Sequence, residues 1–224
     1  MNEVIGEILP LAVAVLVSPV PIAAEIILLF SGRPKPNAAG YAFGFLLGVA
    51  AFLALMTVLG SATSLSDGGA EPTWAAWVRI ALGVALLAGG VRRFRGRPPS
   101  GEAETPKWMD GLQSFTPARS FAVGLGIGAL NPKNIVVGIA AAASIASGLE
   151  GDSTSAFVIV IAAYALFASL GVLAPLVVAL AMGKRADGTL EAWRAWLLDN
   201  NAAVMAVIFL VIGAVLIGKG VAAL

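Results

Sequence analysis

The sequence predicts an all-α integral membrane protein with six transmembrane helices in two inverted three-helix repeats, helices 1 and 4 being broken at proline. Three observations predict it. The 224 residues are 59% apolar and only 12% charged, with a mean hydropathy of +0.92, far from the composition of a soluble domain. The apolar residues fall into six runs, each near the roughly 20 residues that cross a bilayer. The first run of each half carries a small polar residue followed by proline, Ser18-Pro19 and Asn131-Pro132.

The six runs are Val4 to Phe30, Ala38 to Gly60, Trp74 to Val91, Phe121 to Ser147, Ala156 to Met182 and Asn200 to Gly218. The longest polar interval, from about Arg92 to Pro117, is too short for a second domain. The chain therefore reads as a single transmembrane domain over 1–224, with one repeat over 4–91, a cytoplasmic linker over 92–118 and a second repeat over 119–220. The amino terminus carries Glu3 and Glu7 and no Lys or Arg, unlike the basic start of a signal peptide, so helix 1 is expected to be retained.

The loops divide by charge. Arg33 and Lys35 follow helix 1; Arg92, Arg93, Arg95, Arg97, Lys107 and Arg119 follow helix 3; Lys184, Arg185 and Arg194 follow helix 5. The other two loops hold only acids, Asp67 and Glu71 in one and Glu150 and Asp152 in the other. The positive-inside rule places the basic loops in the cytoplasm and both termini outside a bacterial plasma membrane. Before helix 6, "DGTLEAWRAWLLDNN" puts Leu190, Trp193 and Leu197 on one face with Trp196 beside them. This is either a short interfacial helix or an aromatic belt at the entry to helix 6.

An odd number of helices per half inserts the second half upside down, the arrangement of many secondary transporters. Proline lacks an N–H and clashes with the carbonyl four residues back, so Pro19 and Pro132 free the carbonyls of Val15 and Gly128. Pro21 extends the first interruption over Ser18 to Pro21. Ser or Asn followed by Pro also starts a helix, the first as cap and the second in the first turn. Each dipeptide is thus expected to restart a helix inside the bilayer, with unpaired N–H groups and a positive dipole end facing the other half, a site for an anion or a carbonyl. A pair of ordinary proline kinks is the plainer alternative.

Two ionisable residues stand out deep within the runs, Glu25 and Lys133. A charge at the bilayer centre costs about 2.5 to 3.5 kcal/mol or more, so such residues face a cavity or a partner. Three readings compete: Lys133 and the helix ends bind an anionic substrate group while Glu25 carries a coupling proton; the two form a structural ion pair; or Glu25 is solvated near the cytoplasmic interface and does little. Ser18, Pro19, Pro21, Asn131, Pro132 and Asn134 are expected to shape the central site with them.

Gly40, Gly44 and Gly48 lie on one stripe of helix 2 and serve close helix packing, within the subunit or at a homodimer face. "GAVLIGK" at 213–219 matches a phosphate-binding loop only superficially, because Gly220 stands where Ser or Thr belongs; "GLGIG" at 124–128 lacks a preceding strand. The net charge of +1 gives no footprint for nucleic acid. With neither Cys nor His, no thiol chemistry, metal site or cofactor is expected, and no nucleophile constellation suggests an enzyme. The linker "RRFRGRPPSGEAETPKW" suits anionic lipid headgroups.

Six spans, the Ser-Pro-x-Pro break, "SGRPKPNAAGYAFGFLLG" leading into helix 2 and "NPKN" in helix 4 resemble the LysE-type exporter superfamily. Within it, the chain is most similar to the glycopeptidolipid- or sulfolipid-addressing GAP/Sap branch. The resemblance spans nearly the whole chain and implies export of a lipid or lipid-linked molecule toward the cell envelope, with membrane lipids and the substrate as partners. The superfamily also holds amino-acid exporters, metal exporters and thiol-electron carriers; the last need paired membrane cysteines, which this chain lacks.

Overall fold

The computed structural model of the protein describes residues 2–64, 73–97, 107–149, 153–222 and 224. Among these, all regular structure is helical. The nine α-helices are α1 (Asn2–Leu16), α2 (Pro19–Leu29), α3 (Pro34–Ser64), α4 (Thr73–Arg95), α5 (Pro117–Leu130), α6 (Pro132–Gly148), α7 (Thr154–Met182), α8 (Asp187–Asp199) and α9 (Asn201–Ala222). A 3₁₀ segment, Lys107–Ser114, precedes α5, and another, Gly183–Ala186, links α7 to α8. The acidic loop residues Asp67, Glu71, Glu150 and Asp152 lie outside the described residues.

This is a multi-pass membrane protein. Pro34–Ser61, Thr154–Asp199 and Asn201–Ala222 are long and apolar enough to cross a bilayer. Two bent pairs, Val4–Leu16 with Pro19–Leu29 and Pro117–Leu130 with Pro132–Gly148, raise the number of spans among the described residues to as many as five. The run from Trp74 to Val91 forms α4 but is not one of these five. It holds Arg79, a further charge within the apolar runs, and three arginines in its last turn.

Local chemistry sets the helix ends. Pro34 and Pro36 occupy the first turn of α3, where a missing N–H costs nothing. Thr116 caps α5 by accepting from the Arg119 N–H, and Ser153 caps α7 by accepting from the Ala156 N–H. Gly183 ends α7 at φ 58°, a left-handed conformation that favours glycine. The segment over 187–199 is helical, with Leu190 buried, Trp193 and Trp196 exposed, and an Arg194–Glu191 ion pair of 2.6 Å.

The chain packs as two compact units, Met1–Ser64 with Glu104–Leu198, and Leu65–Ala103 with Asp199–Leu224. In the first, α3 and α5 run parallel and touch backbone to backbone. Gly40, Gly44 and Gly48 lie against the carbonyls of Pro117, Phe121 and Leu125, while Gly124 and Gly128 lie against those of Tyr41 and Phe45. A methyl group at any of these five positions would collide with the opposite backbone. Lipid supplies no hydrophobic drive for helices to associate, so such close contact provides the attraction instead. The second unit pairs α4 with α9 antiparallel by the same device, Gly83 against Gly213 and Gly220 against Ala76.

Candidate functional site at two broken helices

Both proline dipeptides of the sequence interrupt a helix. The α1–α2 pair bends by 51° and the α5–α6 pair by 57°. At the first break the Ser18 N–H donates to the Leu16 carbonyl at 3.0 Å, abandoning its helical partner Ala14, and Pro19 has no N–H to give Val15. Ser18 is extended, φ −120° and ψ 96°, and its side chain makes no capping bond. The second break is better furnished: Asn131 is extended, φ −62° and ψ 124°, and its Oδ1 accepts from the Lys133 N–H at 3.1 Å. Proline alone does not break a helix here. Pro10 and Pro175 sit inside α1 and α7, each after an apolar residue, Leu9 or Ala174.

Two side chains collect carbonyls that the breaks release. The Asn134 Nδ2 amide donates to Gly128 at 3.1 Å and to Ile127 at 3.3 Å, closing the end of α5 from the first turn of α6. Pro132 is the residue that denies Gly128 its helical donor. The Lys133 Nζ donates to the Ala14 carbonyl at 2.5 Å, reaching the carboxyl end of α1, where a cation suits the helix dipole. What the start of α6 meets is therefore the end of α1.

Glu25 lies on α2, roughly 9 Å beyond Pro19 at 1.5 Å per residue. It is 0% exposed, and neither carboxyl oxygen has a hydrogen-bond partner. With the Lys133 amine on Ala14, the Glu25–Lys133 ion pair weighed from sequence is not made, and neither is Glu25 solvated at an interface. Tyr41 of α3 donates its hydroxyl to the carbonyl of Pro21, on the helix that carries Glu25, at 3.2 Å. One turn earlier on α3, Asn37 ties the end of α2 to the approach to α5, donating to Ser31 Oγ and to the Phe115 carbonyl, both at 2.8 Å.

Beside the second break is a cavity of ≈ 10 Å³, about the space of one water molecule. Val15 of α1, Val49 and Leu53 of α3, Gly128 and Asn134 at the break, and Tyr164 of α7 help line it. Asn134 Oδ1 and the Tyr164 hydroxyl are both buried without a partner.

Ser18, Pro19, Pro21, Glu25, Lys133 and Asn134 are all buried, Asn131 is half-buried and Pro132 is exposed. The structure brings Lys133 to the first break and Asn134 to the second, and leaves both Glu25 carboxyl oxygens without a hydrogen-bond partner. No group of three His, Cys, Asp or Glu among the described residues is arranged to hold a metal. Sequence reasoning passed over Tyr41, Tyr164 and Asn37. A signal was present for the first two, since the chain has only two tyrosines and both fall inside apolar runs.

No curated protein and no solved structure matches the chain. The family model of Sap, sulfolipid-1-addressing protein, matches residues 8–222, a stretch that takes in both helix breaks and every residue of the site. The chain belongs to that family.

Proposed function

We propose that the protein is a secondary transporter that exports a lipid, a lipid-linked or another anionic amphiphilic molecule across a bacterial plasma membrane. Membership of a lipid-addressing family and the apolar helices support the lipid cargo. The observation that carries the transport reading is the Lys133–Ala14 bond, a buried hydrogen bond joining the start of α6 to the end of α1. An anionic group of the cargo that takes the amine from Ala14 would release α1 from α6, so that binding and opening are one exchange of acceptors. Glu25, buried without a partner, is the group that takes up and gives back a coupling proton.

The inverted repeat belongs to this reading. In its support, each compact unit draws helices from both halves of the chain, and the two bent pairs occupy corresponding places in those halves. The basic segments would face the cytoplasm and the termini the outside. Membrane lipids and the cargo are the partners, and no chemical reaction is assigned.

The tightness of the cavity favours a second reading, a non-transporting scaffold for a larger lipid export system. Purified protein in liposomes separates the two. A transporter moves a fluorescent anionic lipid between leaflets by itself, Lys133→Ala stops it and Glu25→Gln removes its dependence on a proton gradient. Wild-type protein that moves no lipid fails the transporter reading, and one that moves amino acids instead selects a small-metabolite exporter.

A further inference from the structure

Glu25 poses a problem of access. It is 0% exposed, and its neighbours on α2, Ala23, Ala24, Ile26 and Leu28, are equally shut away from solvent. A group that exchanges protons must meet water, so an element packed on α2 has to move. Three elements make the main contacts with α2: α3, α7 and the 3₁₀ segment Lys107–Ser114. The first two are helices of 31 and 29 residues that take part in spans. The third has eight residues, in a helix type whose hydrogen bonds are poorly aligned.

This segment is built to cover something. Met109 and Leu112 are 1% and 0% exposed, whereas Gly111, Gln113 and Ser114 face outward. Residues three apart in a 3₁₀ helix lie one above the other, so the segment turns a single apolar edge inward. Its attachment is slight. The Gly32 N–H donates to the Gln113 carbonyl across a long 3.5 Å. The Asn37 Nδ2 amide, in the first turns of α3, gives one hydrogen to Ser31 Oγ, just past α2, and the other to the Phe115 carbonyl, just past the segment, both at 2.8 Å. Ser31 Oγ in turn donates to the carbonyl of Leu28 at 2.6 Å. One buried amide thus fastens the segment to the end of α2, and Glu25 lies about one turn further in, roughly 6 Å from Leu29 along the axis.

We propose that the segment Lys107–Ser114 is a plug over the end of α2 and that Asn37 is the latch that holds it shut. Release of the latch admits water to Glu25 from that side alone, the cytoplasmic side in the orientation proposed above. The plug deepens the transport reading and rests on it for the purpose of opening, but the access it governs can be measured without any cargo.

The chain has no cysteine, so an introduced thiol is unique. In vesicles holding the full chain in one orientation, Glu25→Cys should react slowly with a membrane-impermeant methanethiosulfonate added on the plug side. Adding Asn37→Ala should raise that rate about tenfold, as expected where closing loses buried hydrogen bonds. The same reagent on the opposite side should gain nothing. Ser31→Ala, which leaves Asn37 on Phe115, should give a smaller gain on the plug side. With Glu25 intact, Gly32→Cys and Gln113→Cys form a pair whose backbones lie within disulfide range. Oxidising it should stop proton-driven lipid movement, and reduction should restore it. No gain from Asn37→Ala overturns the plug, as does an equal gain on both sides, which general loosening of the fold would give. Full proton-driven movement by the oxidised pair overturns it too. A one-sided gain in a chain that moves no lipid keeps the plug and sinks the transporter.

Discussion

The two breaks solve the same problem by different means. At Asn131-Pro132 the solution is local: Asn131 caps α6, and Asn134, three residues on, takes up the carbonyls of Ile127 and Gly128. At Ser18-Pro19 the local residues do little, for Ser18 makes no side-chain cap, and the carbonyl of Ala14 is met by Lys133 from 119 residues away. One break is self-contained and the other is borrowed. A break that depends on a distant amine can be switched by whatever competes for that amine, whereas a self-capped break is a fixed part of the frame. On the proposed transport reading, the contrast would put the movable joint at helix 1 and the rigid one at helix 4.

Substitutions at the four residues test this asymmetry. Lys133→Ala should have the largest effect, leaving Ala14 unpaired in an apolar interior and costing about 1.5 to 3 kcal/mol in reversible unfolding from mixed micelles, the range for a hydrogen bond to a charged group. It should also end lipid movement in liposomes. Asn134→Ala should cost about 1 to 2 kcal/mol by orphaning two carbonyls of α5, with the loss confined to that helix in hydrogen exchange. Asn131→Ala removes one cap and should cost about 1 kcal/mol. Ser18→Ala should change stability by less than about 0.5 kcal/mol, since no capping bond is lost. If Ser18→Ala proved as damaging as Asn131→Ala, the two breaks would be equivalent and the distinction between joint and frame would be gone.

The outline of the site was legible in the sequence because its causes are local. Proline lacks an N–H wherever it stands, so the release of Gly128 by Pro132 follows from covalent structure, and the small polar residue before Pro19 and Pro132, absent before Pro10 and Pro175, marks which prolines bend the chain. The fate of the released groups was not legible. Sequence separation gives no sign that Lys133 reaches Ala14 or that Glu25 has no partner, and the ion pair between them was a reasonable expectation until the helices were packed. Tyr164 went unseen for a related reason: an aromatic residue in an apolar run looks like ordinary filling until packing buries its hydroxyl without a partner.

Composition and backbone chemistry alone determined that this chain is helical, lies in a membrane and is interrupted twice, since lipid demands paired backbone groups and proline refuses to provide them. Tertiary packing decided the rest. The parallel contact of α3 with α5, the amine on the end of α1, the unpaired carboxyl on α2 and the small space beside Asn134 all depend on which helix faces lie together. In a chain where nearly every face is apolar, hydropathy cannot rank one pairing above another. Small differences in shape and a few buried polar atoms make that choice.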